Sequence, residues 1–275
     1  MTVPAVTAGQ RYADTTRAFD SVAQAYNGPL GNNALVQRMR KMLWQALQQR
    51  AAPGARLLDL GCGAGLDAVH FAQQEYRVTA IDSSAGMVAQ AAALVQRSGV
   101  GECIKLMQLD MQDLAALADE SYDAIYSDLG ALNCLPGLAG LARDCAHLLK
   151  AGGVLICSVI GRRCPWEFGY YLLRRDVQRA LVRFQPGQVP VSLNGHTVWT
   201  HYYSPGEFYR YFAARFRRIS CSAANLLMPP PYLISHYERH TAFYRVVERL
   251  DRGIGRLPVV NQMGDHFLIT MERRG

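Results

Sequence analysis

The run LLDLGCGAG, Leu57 to Gly65, joins a short apolar strand to a turn of three glycines, and residues of these types at this spacing build a mouth for a nucleoside ligand. Gly61, Gly63 and Gly65 let the backbone reverse tightly and approach a ligand where a Cβ would obstruct it. A helix opening after them turns its unpaired amides toward the same ligand. Two chemistries share this beginning, and the spacing separates them. The dinucleotide fingerprint GxGxxG needs a small residue three places after the second glycine, where this chain has Leu66. Asp59 precedes the first glycine by two positions, where a carboxylate orients the turn, meets an ammonium group and repels a pyrophosphate.

Three later segments fit a nucleoside that carries an amino-acid tail, and together they favour S-adenosylmethionine as the ligand. RVTAID, Arg77 to Asp82, alternates as a strand and ends in a carboxylate about 20 residues after the turn, the distance at which such folds bind a ribose diol. IKLMQLD, Ile104 to Asp110, ends in an acid that can take an adenine amine while Met111 packs on the ring. YDAIYSDLGALN, Tyr122 to Asn133, supplies a fourth strand whose end belongs under the sulfonium, and LLKAGGVLICSVI, Leu148 to Ile160, reads as a helix end, a glycine turn and a fifth buried strand.

With AFDSVAQAY ahead of the core, these pieces in this order resemble the class I S-adenosylmethionine-dependent methyltransferases of the small-molecule kind, from Phe19 to Ile160. CPWE and MPPPYL further on resemble bacterial methyltransferases of largely unassigned substrate. The resemblance implies an α/β, Rossmann-like sheet of seven mostly parallel strands with an antiparallel seventh, helices on both faces, and cap insertions after strands five and six. It implies cofactor contacts at Tyr26, Asp59, Gly61, Cys62, Gly63, Asp82, Ser83, Met87, Asp110, Met111, Ser127 and Leu129, with residues 1–50 as lid helices and 51–160 as the cofactor-binding core.

The second half must hold the remaining strands and extra material. RRISCSAANLL, Arg217 to Leu227, is the expected sixth strand and HFLITME, His266 to Glu272, the expected seventh, so that 205–227 and 263–275 complete the sheet. Residues 161–204 and 228–262 are the expected insertions. The first reads as a helix through Trp166 to Phe184 and a hairpin with Asn194-Gly195 at its tip; Ser204-Pro205 then opens another helix, and the second insertion holds one from about Ile234 to Arg252. Both leave strand ends on the side where ligands of open α/β sheets bind. Their aromatic residues therefore suit an acceptor chamber, with Trp166, Tyr170, Tyr203 and Tyr232 beside Asn133 as expected substrate contacts, although the same rings also serve to pack a cap on its core.

Composition agrees with a cytoplasmic enzyme. Half of the 275 residues are hydrophobic, enough for one domain with insertions, and neither a signal peptide nor a spanning segment stands out. Seven scattered cysteines without a CxxC pair suit reduced thiols and no metal site. The net charge of +7 is uneven: residues 1–160 carry −2, and residues 161–275 carry +9, all of their cations arginine. A solvated surface is the first account of that excess, and attraction to an anionic substrate or partner is the alternative.

Two apparent motifs fail on position. MPPPY resembles the (Asn/Asp)-Pro-Pro-Tyr signature of base-amino methyltransferases, but it follows the sixth strand and begins with Met228, so no nucleic-acid partner is expected. His236 and His240 stand at i and i+4 without a third ligand. The expected function is methyl transfer from S-adenosylmethionine to an oxygen, nitrogen or carbon of a small, partly apolar acceptor in specialised metabolism. RNA or protein methylation and a non-catalytic binding module are the alternatives, and the oligomeric state is left open. Where a base is needed, His201, Tyr202 and His240 are the candidates, each equally suited to a structural role; an amine acceptor needs none.

Overall fold

Leu57, Leu58 and Leu60 have no accessible surface, so the segment they form must be covered on both faces, as a central parallel strand is. The computed structural model describes residues 6–118, 121–255 and 257–275, and in it this segment is an interior strand of a seven-stranded sheet. The first five residues of the expected lid lie outside the described residues.

The chain opens with α1 (Ala8–Val22) and α2 (Ala34–Gln48) and enters the sheet at β1 (Arg56–Leu60). It continues through α3 (Leu66–Ala72), β2 (Arg77–Asp82), α4 (Ala85–Ser98), β3 (Ile104–Gln108), β4 (Tyr122–Ser127), α5 (Ala139–Leu148) and β5 (Leu149–Ile160). The first insertion holds α6 (Pro165–Leu173), α7 (Val177–Ala180) and a hairpin of β6 (Gln188–Leu193) and β7 (His196–His201). Then come α8 (Pro205–Phe212), β8 (Phe216–Ala224), α9 (Ile234–Arg239), α10 (Thr241–Ile254) and β9 (His266–Arg273).

The sheet order is β3-β2-β1-β4-β5-β9-β8. Strands β1 to β5 pair in parallel, and β9 lies antiparallel between β5 and β8, which is the Rossmann-like arrangement with a reversed last strand. Strand order reverses between β1 and β4, and a crevice opens beyond their carboxyl ends at that point. Leu58, Ile125 and Leu155 pack one face of the sheet with α5, while Leu57, Tyr126 and Ile156 pack the other with α2 and α3. Among the described residues no helix is long and apolar enough to cross a membrane.

The hairpin turns at Asn194 and Gly195 with φ of 49° and 79°, the left-handed pair that a two-residue turn demands. Two expected helices are broken. The one through Trp166 to Phe184 divides into α6 and α7 because Arg175 takes φ of 60°, and the one from Ile234 divides at His240, whose φ and ψ of −125° and 33° leave the helix. His236 and His240 therefore do not share a continuous helix.

The first insertion is pinned to the sheet by Arg183. Its guanidinium donates to both carboxylate oxygens of Glu167 at 2.8 and 2.7 Å, to Asp265 Oδ1 at 2.6 Å, and to the carbonyls of Gly161 and Asp265. Cys164, Glu167 and Asp265 bring three potential metal ligands together there, but the guanidinium is the cation among them. Burial alone would raise the Asp265 pKa; His266 and Arg183 overcome it and pull the carboxyl down to about 2. The stability from that shift is present above the ordinary carboxylate range near 4 and is lost as pH falls toward 2. Arg183→Ala leaves two buried carboxylates without their cation and is expected to cost about 3–5 kcal/mol, read as a lower urea midpoint.

Candidate active site

The crevice is shaped first by glycine. Gly61 has φ of 76°, and a Cβ on it would lie 2.7 Å from the Ala131 Cβ, so the turn after β1 packs against the segment after β4 with no room for a side chain. Gly63, with φ of 52°, is different. A Cβ there would meet nothing nearer than Tyr26, at 3.5 Å, and would project into the crevice.

Asp82 then fixes the turn. Its Oδ2 accepts the Gly63 amide at 2.9 Å and its Oδ1 accepts the Ser84 amide at 2.9 Å. Burial raises its pKa, and these amides restrain the rise. Each oxygen keeps a lone pair for a further donor.

The resulting cleft is charged at one end. Arg40 pairs with Asp67, whose other oxygen accepts the Trp44 indole at 2.7 Å. Asp128 Oδ1 accepts the Leu129 amide at 2.8 Å. Arg40 Nε is buried with no hydrogen-bond partner among the described residues, and Asp128 Oδ2, buried and without a close partner, has the Ser158 hydroxyl beside its carboxyl. Burial, and then the nearby Asp67 charge, push the Asp128 carboxyl up to about 6 against the pull of Arg40. Gly61, Gly63, Asp82, Ser83, Met87 and Met111 line the cleft beyond that charged group.

Helix α1 roofs the cleft with Tyr12, Thr15, Thr16 and Phe19, and Tyr26 follows. It is latched to the start of α4: Asp20 Oδ1 accepts the Ser84 hydroxyl at 2.5 Å and the Gly86 amide at 2.9 Å. The hairpin closes the side. Thr15 Oγ1 accepts the Trp199 amide at 3.0 Å, the Trp199 indole donates to Asp14, and Arg11 stacks 4.6 Å over that ring, which brings Val198 and Thr200 into the wall. Cys134 and Ile160 complete it.

Of the cofactor contacts read from sequence, Tyr26, Gly61, Cys62, Gly63, Asp82, Ser83, Met87, Met111 and Leu129 line this cleft, and Asp59, Asp110 and Ser127 do not. Asp59 is a structural acid: it is 1% exposed, it accepts the Tyr126 hydroxyl at 3.0 Å, and burial holds its pKa well above the ordinary value. The Ser127 hydroxyl donates to the Leu60 carbonyl and ties β4 to β1. Asp110 accepts the Gln112 amide in its own turn and faces the Tyr12 phenol.

The expected acceptor contacts are elsewhere. Asn133, fully buried, donates to the Ile160 and His201 carbonyls and accepts the Ile160 amide, so it clamps backbone. Trp166 and Tyr170 stack on each other and against His236. Tyr203 is buried beneath His201, and the Tyr232 hydroxyl donates to Glu167. The candidate bases also miss the cleft. His201 Nε2 lies 3.3 Å from Glu207, the Tyr202 ring packs under Arg183 with its pKa pushed up by burial to about 12, and His240 is exposed at the break between α9 and α10.

Sequence reasoning missed Thr15, Thr16, Val198, Thr200 and Arg40. A signal existed for Arg40, which falls on the apolar stripe of α2 with Val36, Met39, Leu43 and Leu47, where an arginine needs a buried reason.

Residues 58–157 match the methyltransferase domain family. Over 112 residues the chain is 38% identical to a ubiquinone biosynthesis O-methyltransferase of Xanthomonas campestris, which covers 41% of this chain and 46% of that protein. The chain thus matches roughly half the length of its curated relatives. In fold it resembles the CcbJ methyltransferase of Streptomyces caelestis, with a TM-score of 0.63, 16% identity and coverage of 95% and 99%. It also resembles 1,6-didemethyltoxoflavin-N1-methyltransferase of Burkholderia thailandensis, with a TM-score of 0.59, 17% identity and coverage of 100% and 93%. The glycine turn, Asp82, Met111 and Asp128 all fall inside the matched domain; Arg40 and the α1 roof precede it, and the hairpin follows it.

The charged end of this domain's cleft makes a direct prediction. Below about pH 4 Asp128 is protonated in the folded and unfolded chain alike, and above its raised pKa it is ionised in both, so its burial penalty grows as pH rises between those limits. Asp128→Asn is expected to raise the thermal midpoint of the ligand-free protein at neutral and higher pH, with the gain vanishing near pH 4.

Proposed function

We propose that this protein is an S-adenosylmethionine-dependent methyltransferase acting on an oxygen, nitrogen or carbon of a small, partly apolar acceptor. The observation that carries the reading is the pairing of two buried polar atoms with open hydrogen-bonding positions at one end of the cleft with a carboxylate at the end of β2. Arg40 Nε and Asp128 Oδ2, both buried and without a close partner, are complementary to the carboxylate and ammonium of an amino acid, and the free lone pairs of Asp82 suit a ribose diol. Glycine at 63 leaves open the space between them. The residues present therefore fit the methyl donor from end to end.

When bound, S-adenosylmethionine supplies a methyl group already made electrophilic by its sulfonium. The chain's residues then have three tasks: to hold, to orient and to exclude water. Arg40, Asp128 and Asp82 hold, while Met87 and Met111 offer apolar packing to the base. Phe19, Tyr26, Ile160 and Val198 dry the remaining space, and the hydroxyls of Thr15 and Thr200 can orient an acceptor. Burial keeps the Tyr12 and Tyr26 phenols neutral, so they act as donors rather than bases.

The acceptor chamber of this reading lies between α1 and the hairpin, whereas the rings of Trp166, Tyr170 and Tyr232 pack the cap. The relatives' names include both O- and N-methyltransferases, and the chamber accommodates either acceptor atom. A cytoplasmic location and a small-molecule partner fit this reading.

Calorimetry with S-adenosylmethionine, S-adenosylhomocysteine and NAD tests the ligand: the first two bind and NAD does not. Binding of NAD alone would overturn the assignment. Asp82→Asn is expected to weaken S-adenosylhomocysteine by about tenfold or more, the worth of one charge-assisted hydrogen bond. A labelled-methyl screen of small acceptors, with RNA and protein as controls, tests the reaction; donor binding without any transfer would make the chain a binding module. Once an acceptor is found, Val198→Trp is expected to cut turnover while donor affinity holds. Loss of donor affinity in that variant would move the chamber elsewhere.

A further inference from the structure

The two cap insertions expose large apolar side chains to solvent. Leu172 and Leu173 at the end of α6 are 48% and 88% exposed, and Val177, Leu181 and Phe184 follow at 52%, 46% and 48%. On α10 Phe243, Val246 and Leu250 form a second stripe, exposed by 64%, 61% and 56%. Contiguous apolar surface of this kind marks an interface.

Charge identifies the partner. Arg174, Arg175 and Arg179 stand exposed among the apolar side chains of the first stripe, and Arg245 and Arg249 accompany the second. Glu238 of α9 is exposed, but the acids of the two stripes' own segments face inward or are engaged. Glu167 is buried on Arg183, Glu248 and Asp251 pair with Arg38, and Asp176 caps α7 while pairing with Arg179. The stripes belong to one cap, because Trp166 packs on His236, His236 on Tyr244, and the Tyr232 hydroxyl reaches Glu167.

An apolar surface on which exposed arginines outnumber exposed carboxylates complements an anionic bilayer, where arginines meet headgroup phosphates and leucines enter the acyl boundary. A second copy of the chain, packed symmetrically, would bring two arginine-bearing faces together and add like charge to like. The geometry points to this cap face as a docking surface for anionic phospholipid membranes, on which the protein lies without spanning. The first insertion starts directly after Ile160, a residue of the cleft wall, so a docked cap holds the cleft close to the lipid surface.

The test is co-sedimentation of the full chain with phosphatidylcholine vesicles, with and without phosphatidylglycerol. The protein is expected to pellet only with the anionic vesicles and to be released by added salt. Leu173→Glu with Leu181→Glu, and separately Arg174→Glu with Arg175→Glu, are expected to lower binding by about tenfold or more, the worth of one or two such side chains at a charged membrane. Thermal midpoints of these surface variants should match the parent. A parent protein that stays in the supernatant with anionic vesicles, or variants that pellet as it does, would overturn the proposal. So would a dimer, seen by light scattering, that Leu173→Glu dissociates, since the face would then belong to a second copy.

Discussion

The Asp82 carboxylate accepts an amide from each of two elements that must not move apart: Gly63 in the turn after β1, and Ser84 at the start of α4. Charge-assisted bonds of this kind are worth about 1.5–3 kcal/mol each, enough to offset much of the cost of burying the charge. The frame extends outward from there. Ser84 donates to Asp20, Asp20 fixes α1 over the cleft, and Thr15 on α1 receives the hairpin. A carboxylate that looks in the sequence like a ligand contact alone is also the point from which the roof is positioned. Turn, roof and wall are therefore mechanically one object.

That chain of contacts explains why the acceptor chamber is not where the aromatic residues are densest. The rings of the first insertion find one another and the α9–α10 segment, because clustering buries more apolar surface than facing a wet cleft does. Asn133 meanwhile binds the end of β5 to the end of β7, and this clamp sets how far the hairpin stands from the sheet. The wall that results is made of Val198, Thr200, Cys134 and Ile160, small or aliphatic residues that leave room for a ligand.

What was legible in the sequence was local. Left-handed glycines in the turn, the alternation of β2, and Asn194-Gly195 at the hairpin tip each state their geometry within a few residues, and strand-length apolar runs fix the sheet's members. What was not legible depended on partners far apart in the chain. Thr15 and Trp199 meet across 184 positions, and nothing in the local pattern of either segment announces the other. Arg175 and His240 break their helices although the surrounding periodicity would carry a helix through. Asp59 was misread for a related reason: its place before the glycines suits an ammonium, but the long reach of Tyr126 from β4 takes its carboxylate into the sheet instead.

The charged end of the cleft shows what the fold gives up for its ligand. Buried polar atoms are nearly always hydrogen-bonded, so leaving both Asp128 Oδ2 and Arg40 Nε unmet costs stability that the empty protein does not recover. On the proposed reading a zwitterionic ligand supplies the missing partner of each atom, so the strain built into the ligand-free site returns as affinity and as stability of the complex. The balance of charge adds direction. Arg40 is opposed by both Asp67 and Asp128, and with Asp128 ionised above its raised pKa this group carries one excess negative charge. On that same reading the excess favours a cationic sulfonium donor over the neutral thioether left after transfer, so the two acids that weaken the empty site would also bias it toward releasing its product.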